Sequence, residues 1–176
     1  MKSPAGIIEK QAEKEGIRKT TPMIEINIPG RDTLHIEHLV LDYNGTIAVD
    51  GALIDGIQER LQRLLPHVSI HVLTADTYGT VEAQCGPLGL RVEKFPREGA
   101  AKCKKAVVEK LDNVCAIGNG YNDIPMFDVA ELAIAVLEEE GMCASLLLHA
   151  DVLVKSIADG LDLLLKPDRL RATLRS

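Results

Sequence analysis

Asp42 closes the apolar run LVLD and is followed at once by Tyr43, Asn44, Gly45 and Thr46. A carboxylate carried by a buried strand to a tight turn is a candidate nucleophile or ligand for a hard metal ion. Asn-Gly after an apolar run is also a common hairpin turn. Two residues beyond Asp42, where a second acid would be expected, the chain carries Asn44, an amide with no titrating proton to give. Two more polar clusters follow apolar runs: Thr74, Ala75 and Asp76 after VSIHVL, and GNGYND, Gly118 to Asp123, after NVCAI. Between them lies KCKKAVVEKL, residues 102–111. Taken singly these are weak signals. Thr suits a helix N-cap, lysines on a helix usually face water, and Gly and Asn form ordinary turns. Each cluster, however, sits just past an apolar run, and GNGYND opens a helical pattern whose N-terminus suits an anion.

The elements that must position these residues alternate between strand and helix. MIEINIP and TLHIEHL alternate apolar and polar around Gly30-Arg31-Asp32, which predicts a β-hairpin. LVLDY reads as a buried central strand. A short β-like stretch, TIAVDGALI, follows it. Helical patterns are predicted over 55–65, 78–85, 99–111 (with Ala106, Val107 and Leu111 inward), 122–130, 138–149 and 156–165. Between them come strands VSIHVLT, LRVEKF, NVCAIG, LAIAV and DVLV, and the chain ends in a basic tail, KPDRLRATLRS. Such alternation predicts a parallel sheet with helices on both faces. Right-handed crossovers place every strand's C-terminal end on one edge, and ligands of such sheets bind there. Residues 1–22 read as an arm and 23–176 as one domain.

Bulk properties narrow the function. The chain has 176 residues, enough to bury about 70% of its unfolded surface. A net charge of −6 and 3% aromatic residues argue against a nucleic-acid surface or base stacking. Four cysteines without CxxC or zinc spacing fit reduced thiols and a cytoplasmic location. No apolar run approaches the ~18 residues of a membrane span, and the first residues lack the apolar core of a signal peptide.

The order LDYNGT, VLTADT, lysine-rich helix, GNGYND resembles the haloacid dehalogenase superfamily of phosphotransferases, and more narrowly the phosphorylation domain of P-type ATPases and their small soluble relatives. The resemblance covers roughly residues 23–175. It implies a three-layer α/β/α, Rossmann-like fold with a mostly parallel central sheet and an N-terminal β-hairpin. It also implies that Asp42 attacks phosphorus to form an aspartyl phosphate. Tyr43, Asn44, Thr74, Ala75, Lys104 and Asn122 would hold the phosphoryl group, with Lys102 as a second candidate for the cation. Mg²⁺ would be bound by Asp42, the main-chain carbonyl of Asn44, Asn119 and Asp123. Two positions depart from the family pattern. Asn44 replaces the usual acid, which costs roughly 10²–10⁴ in rate where acid–base help is needed. Asn119 replaces a metal carboxylate with a neutral oxygen.

The spacing excludes an inserted domain. Residues 47–73, 27 in all, separate the first two motifs, and residues 79–103, 25 in all, follow the second. Both stretches are used by core elements, so there is no cap domain and no ATPase nucleotide domain. The leading expectation is a slow Mg²⁺-dependent phosphatase or phosphotransferase acting on a small phosphorylated substrate. The alternative is a non-catalytic protein that binds inorganic phosphate or regulates a partner. An uncapped site also suggests a homo-oligomer that covers it.

Overall fold

A computed structural model describes residues 22–75 and 79–176. The arm predicted over 1–22 falls almost wholly outside them, as does Asp76. Strands β1 (Ile24–Ile26) and β2 (Leu34–Ile36) pair antiparallel as the expected hairpin. The chain then enters β3 (His38–Asp42), which is followed by the small antiparallel hairpin β4 (Ala48–Val49) and β5 (Ala52–Leu53). Helix α1 (Ile57–Leu64), strand β6 (Ser69–Thr74), helix α2 (Val81–Cys85) and strand β7 (Arg91–Lys94) come next. After helix α3 (Ala100–Val108) the chain forms β8 (Val114–Gly118), a 3-10 turn (Tyr121–Asp123), α4 (Ile124–Phe127) and β9 (Leu132–Val136). A 3-10 segment (Ala144–His149), β10 (Val152–Val154), α5 (Ile157–Leu165) and α6 (Pro167–Leu174) complete it.

Six parallel strands form the central sheet in the order β10-β9-β8-β3-β6-β7. The chain runs outward from β3 on one side and resumes at β8 on the other. The C-terminal ends of β3 and β8 therefore flank the point where strand order reverses, which is where α/β sheets open a crevice.

The sheet divides two cores. Leu39 and Leu41 of β3, with Tyr43 just past its end, enter the first, beneath Leu61 and Leu64 of α1 and Leu161 and Leu164 of α5. Val40 enters the second, with Val108, Met126, Phe127 and Leu146. Burial on both faces is why β3 reads as an unbroken apolar run. Together these layers are the α/β/α architecture expected from sequence.

Three local expectations fail, and one element is added. Residues 138–143 are not helical, and the rest of the predicted helix, Ala144–His149, is a 3-10 segment. Gly141 is left-handed (φ 79°), and the Glu138 and Glu140 carboxylates leave the segment to accept the Ile157 and Asp50 N–H groups. Ala106 on α3 is exposed, because the buried stripe of that helix is Ala100, Lys104 and Val108, spaced at i, i+4 and i+8. The span 122–130 holds only the 3-10 turn and the four-residue α4. The basic tail is a helix, α6, whose Leu170 is buried and whose Arg171 Nε donates to the Asn27 carbonyl at 2.8 Å.

Candidate active site

β3 and β8 bring Asp42 and the Gly118–Asp123 turn side by side, and β6 places Thr74 on the other flank of β3. Strand alternation aims the flanking side chains. With Tyr43 buried in the first core, Asp42 faces the side of the sheet covered by α3. There Lys104 occupies a stripe position that an apolar residue would normally fill, and it is fully buried. Its ammonium lies 2.5 Å from Asp42 Oδ1 and 2.7 Å from Asp123 Oδ1. Lys102, the second candidate, is exposed.

The second oxygens are held as well. Asp123 Oδ2 accepts the N–H groups of Asn119 (3.1 Å) and Gly120 (2.9 Å). Asp42 Oδ2 accepts the Thr46 hydroxyl at 3.2 Å, and that hydroxyl also reaches Asn119 Oδ1 at 3.3 Å. Close packing of backbone against these groups explains two glycines. A Cβ on Gly118 would lie 2.5 Å from Asp123 Oδ2, and one on Gly45 would collide with the Asn119 amide.

Two carboxylates around one ammonium set the electrostatics. Burial, together with the Asp123 charge, raises Asp42 to about 6 against the opposing pull of Lys104 and Thr46. Burial works to lower Lys104, but the charges of Asp42 and Asp123 outweigh it and hold the ammonium above its usual range. A fully buried ammonium is tolerable only with such pairing. The site is therefore a protonated lysine that bridges two acids, one of them easily neutralised.

The expected residues are thus largely assembled. Asp42, Lys104, Asn119 and Asp123 form one bonded cluster, with Thr74 buried beside it. Asn122 is half-buried in the turn. Tyr43 sends its hydroxyl away from the cluster, to the Gly51 carbonyl at 3.1 Å, so only its backbone can serve the site. Asn44 lies on the turn beyond Asp42, with its Oδ1 buried and without a protein partner. Sequence reasoning overlooked the Thr46 hydroxyl as a link between Asp42 and Asn119, although the motif contained it. It also missed Gly141, whose carbonyl accepts Asn119 Nδ2 at 2.9 Å. Nothing in the local pattern announced that contact.

A hard cation can be tested against this donor set. Asp42 Oδ2 and Asn119 Oδ1 converge on one hydroxyl, and the main-chain carbonyl of Asn44 is nearby in sequence. All three are oxygens, as Mg²⁺ requires. Among the described residues no three His, Cys, Asp or Glu side chains gather as a metal cluster. The donor set therefore fits a hard cation, with one carboxylate at its heart.

Residues 98–157, which carry Lys104, Asn119, Asn122 and Asp123, match the family of haloacid dehalogenase-like hydrolases. That match spans 60 of the 176 residues, about a third of the chain. A cobalt-bound deoxy-D-mannose-octulosonate 8-phosphate phosphatase from Haemophilus influenzae superposes with a TM-score of 0.62 at 11% identity, covering 80% of this chain and 94% of that one. A 3-deoxy-D-manno-octulosonate 8-phosphate phosphatase from Moraxella catarrhalis, bound to magnesium, phosphate and the sugar acid, gives a TM-score of 0.59 at 17% identity, with coverages of 80% and 94%. Such identities carry the haloacid dehalogenase fold alone. A much nearer relative in sequence, the uncharacterized protein MJ0073 of Methanocaldococcus jannaschii, is 42% identical over 87 residues, 47% of this chain and 94% of that protein. Among the described residues no helix is long and apolar enough to cross a membrane.

Proposed function

We propose that this protein is a member of the haloacid dehalogenase superfamily that transfers a phosphoryl group to Asp42 and then hydrolyses the aspartyl phosphate slowly. The observation that carries this reading is the buried Lys104 ammonium held between Asp42 and Asp123 at the C-terminal edge of the sheet. A carboxylate attacking a phosphoryl dianion needs fixed positive charge beside it. Lys104 supplies that charge, and Asp123, braced by two backbone N–H groups, keeps it in place. Thr74, the Ala75 N–H and Asn122 are the groups proposed to hold phosphoryl oxygens. Asp42, the Asn44 carbonyl and Asn119 are proposed to hold Mg²⁺, which when bound neutralises phosphoryl charge. The closer likeness to P-type ATPases rests on the motif residues, and the substrate is proposed to be small. A cytoplasmic location and an oligomer over the uncapped site belong to the same proposal.

Beryllofluoride, a mimic of the aspartyl phosphate, is the direct test. With Mg²⁺ it should raise the melting temperature of the native protein by mass action, and Asp42→Asn should abolish the rise. An equal rise in the variant rejects Asp42 as nucleophile. A phosphate-dependent rise without any covalent labelling favours the non-catalytic reading, which the two amides Asn44 and Asn119 motivate.

A further inference from the structure

We infer that the phosphoryl donor is one whose leaving group departs as a stable anion, an acyl phosphate or phosphoanhydride, and not an alkyl phosphate ester. The inference rests on the proposed role of Asp42 and concerns what supplies the proton.

The proton inventory at the strand edge is short. Asn44 lies on the turn two residues beyond Asp42, the last residue of β3. The turn is pinned: Gly45 N–H donates to the Ala48 carbonyl at 2.7 Å, Asn44 bridges to Ala48, and Gly45 lies against Asn119. Asn44 has no titrating proton to give, and its buried Oδ1 only accepts. Lys104 is bonded to two carboxylates and Thr46 donates to Asp42. All five histidines lie toward the opposite edge. His38 opens β3 and is bonded to His71, at 3.2 Å. His67 precedes β6, and His149, bonded to Asp128, precedes β10. The His35 N–H reaches Glu131, which precedes β9. None of these side chains is free to protonate an alkoxide.

An acyl phosphate needs no such proton. An Asp42 oxygen bonds to phosphorus, the bond from phosphorus to the acyl oxygen breaks, and its electron pair leaves with a carboxylate. One mixed anhydride replaces another, so the exchange is close to thermoneutral. In the second step water attacks phosphorus and the Asp42 carboxylate departs unprotonated. Both water protons stay on the dihydrogen phosphate released, so again no side chain must give one. A phosphoanhydride follows the same course with a phosphate leaving group. An alkyl ester would have to expel a strongly basic alkoxide.

The test offers acetyl phosphate, pyrophosphate and glycerol 2-phosphate to the native protein with Mg²⁺. Phosphoenzyme is read by intact mass and released phosphate by assay. Transfer from acetyl phosphate or pyrophosphate should exceed that from glycerol phosphate by roughly 10²–10⁴-fold, and whichever of the two dominates names the donor. Asn44→Asp should shrink the ratio by raising glycerol phosphate turnover. The native ratio alone tests the idea should that variant fold poorly. Comparable rates with acyl and alkyl donors overturn the inference and leave Asp42 as nucleophile. Alkyl transfer that disappears in Asp76→Asn overturns it too, by revealing another acid. Labelling by none of the three donors, with beryllofluoride still bound, rejects the donor class. Absence of beryllofluoride binding as well rejects the nucleophile itself.

Discussion

Asn119 spends its amide nitrogen on the Gly141 carbonyl, at 2.9 Å, while the Cys143 N–H returns to the Asn119 carbonyl at 2.8 Å. The residue proposed as a neutral oxygen ligand is thus also the clasp of the loop after β9. That loop in turn holds the β4–β5 hairpin, through Glu140 and the Asp50 N–H at 2.8 Å. An aspartate at 119 would set one carboxylate oxygen against the Gly141 carbonyl oxygen.

Asn119→Asp should therefore act in opposite directions with and without metal. Without metal it loses the clasp and adds a third acid beside Asp42 and Asp123, at a cost of about 1–3 kcal/mol. With Mg²⁺ the new anionic ligand should give a larger rise in melting temperature than the native protein shows. Thermal denaturation with Mg²⁺ and with a chelator checks both halves. Equal metal-dependent shifts in the two proteins would place residue 119 outside the metal shell.

Lys104→Met keeps the length of the buried stem and removes its charge. Two buried carboxylates would then lack their shared cation, which should cost about 3–5 kcal/mol at pH 7. Asp42 already lies near 6, so acid should relieve the loss by protonating it. Denaturant melts at pH 7 and pH 5 should show a clearly smaller difference between variant and native protein at the lower pH.

Stability against pH carries two opposing contributions in the metal-free protein. Burial, with the neighbouring His38 and Arg91 charges, lowers His71 from 6.5 to about 4. The unfolded chain binds the extra proton first, so this contribution is complete above pH 6.5 and is lost as pH falls toward 4. It amounts to on the order of 2–3 kcal/mol. Asp42, raised from 3.8 to about 6, has the reverse sign: the folded state holds its proton longer, so stability declines as pH rises through that window. Asp42→Asn should leave a steeper rise of stability from pH 4 to 6.5. His71→Gln should flatten or invert it. Parallel profiles for native protein and both variants would exclude the two groups as the source.

Gly118→Ala tests the close approach at the end of β8. The added methyl would meet Asp123 Oδ2 at 2.5 Å and its Cγ at 2.6 Å, so Asp123 must give up its brace on Asn119 and Gly120 or the strand must shift. The variant should lose several kcal/mol and most of its beryllofluoride response. Gly86→Ala, where a Cβ has nothing within 4 Å, is the control and should behave as native.

Much of the architecture was legible before any coordinates. Strands buried on both faces are apolar throughout, and their alternation with helices leaves a parallel sheet as the economical solution. That topology gathers strand ends on one edge, which is why Asp42, Thr74 and Gly118–Asp123 could be placed together from their order alone. The pattern of Met142 to Leu148 suits a helix, and Ala144–His149 are 3-10, but in the first half of the segment long-range hydrogen bonds to Glu138 and Glu140 decided otherwise. Local pattern carries no record of a partner 90 residues away in the chain, such as Asp50 for Glu140.

The sequence alone determined which groups are available for chemistry: one candidate nucleophile at a strand end, amides at 44 and 119 in place of acids, and too few residues between motifs for an inserted domain. These are matters of composition and spacing, and folding cannot change them. Only the tertiary structure decided how the groups are used. Three lysines lie in KCKK, and helical phase together with packing against β3 buries Lys104 and leaves Lys102 in water. The acids Asp42 and Asp123 are 81 residues apart, yet they share one ammonium because β3 and β8 are neighbours. Asn119 becomes both a candidate oxygen ligand and a clasp because the loop at Gly141 folds back upon it. Charge pairing, burial and pKa depend on distances through space, which arise only when the sheet assembles.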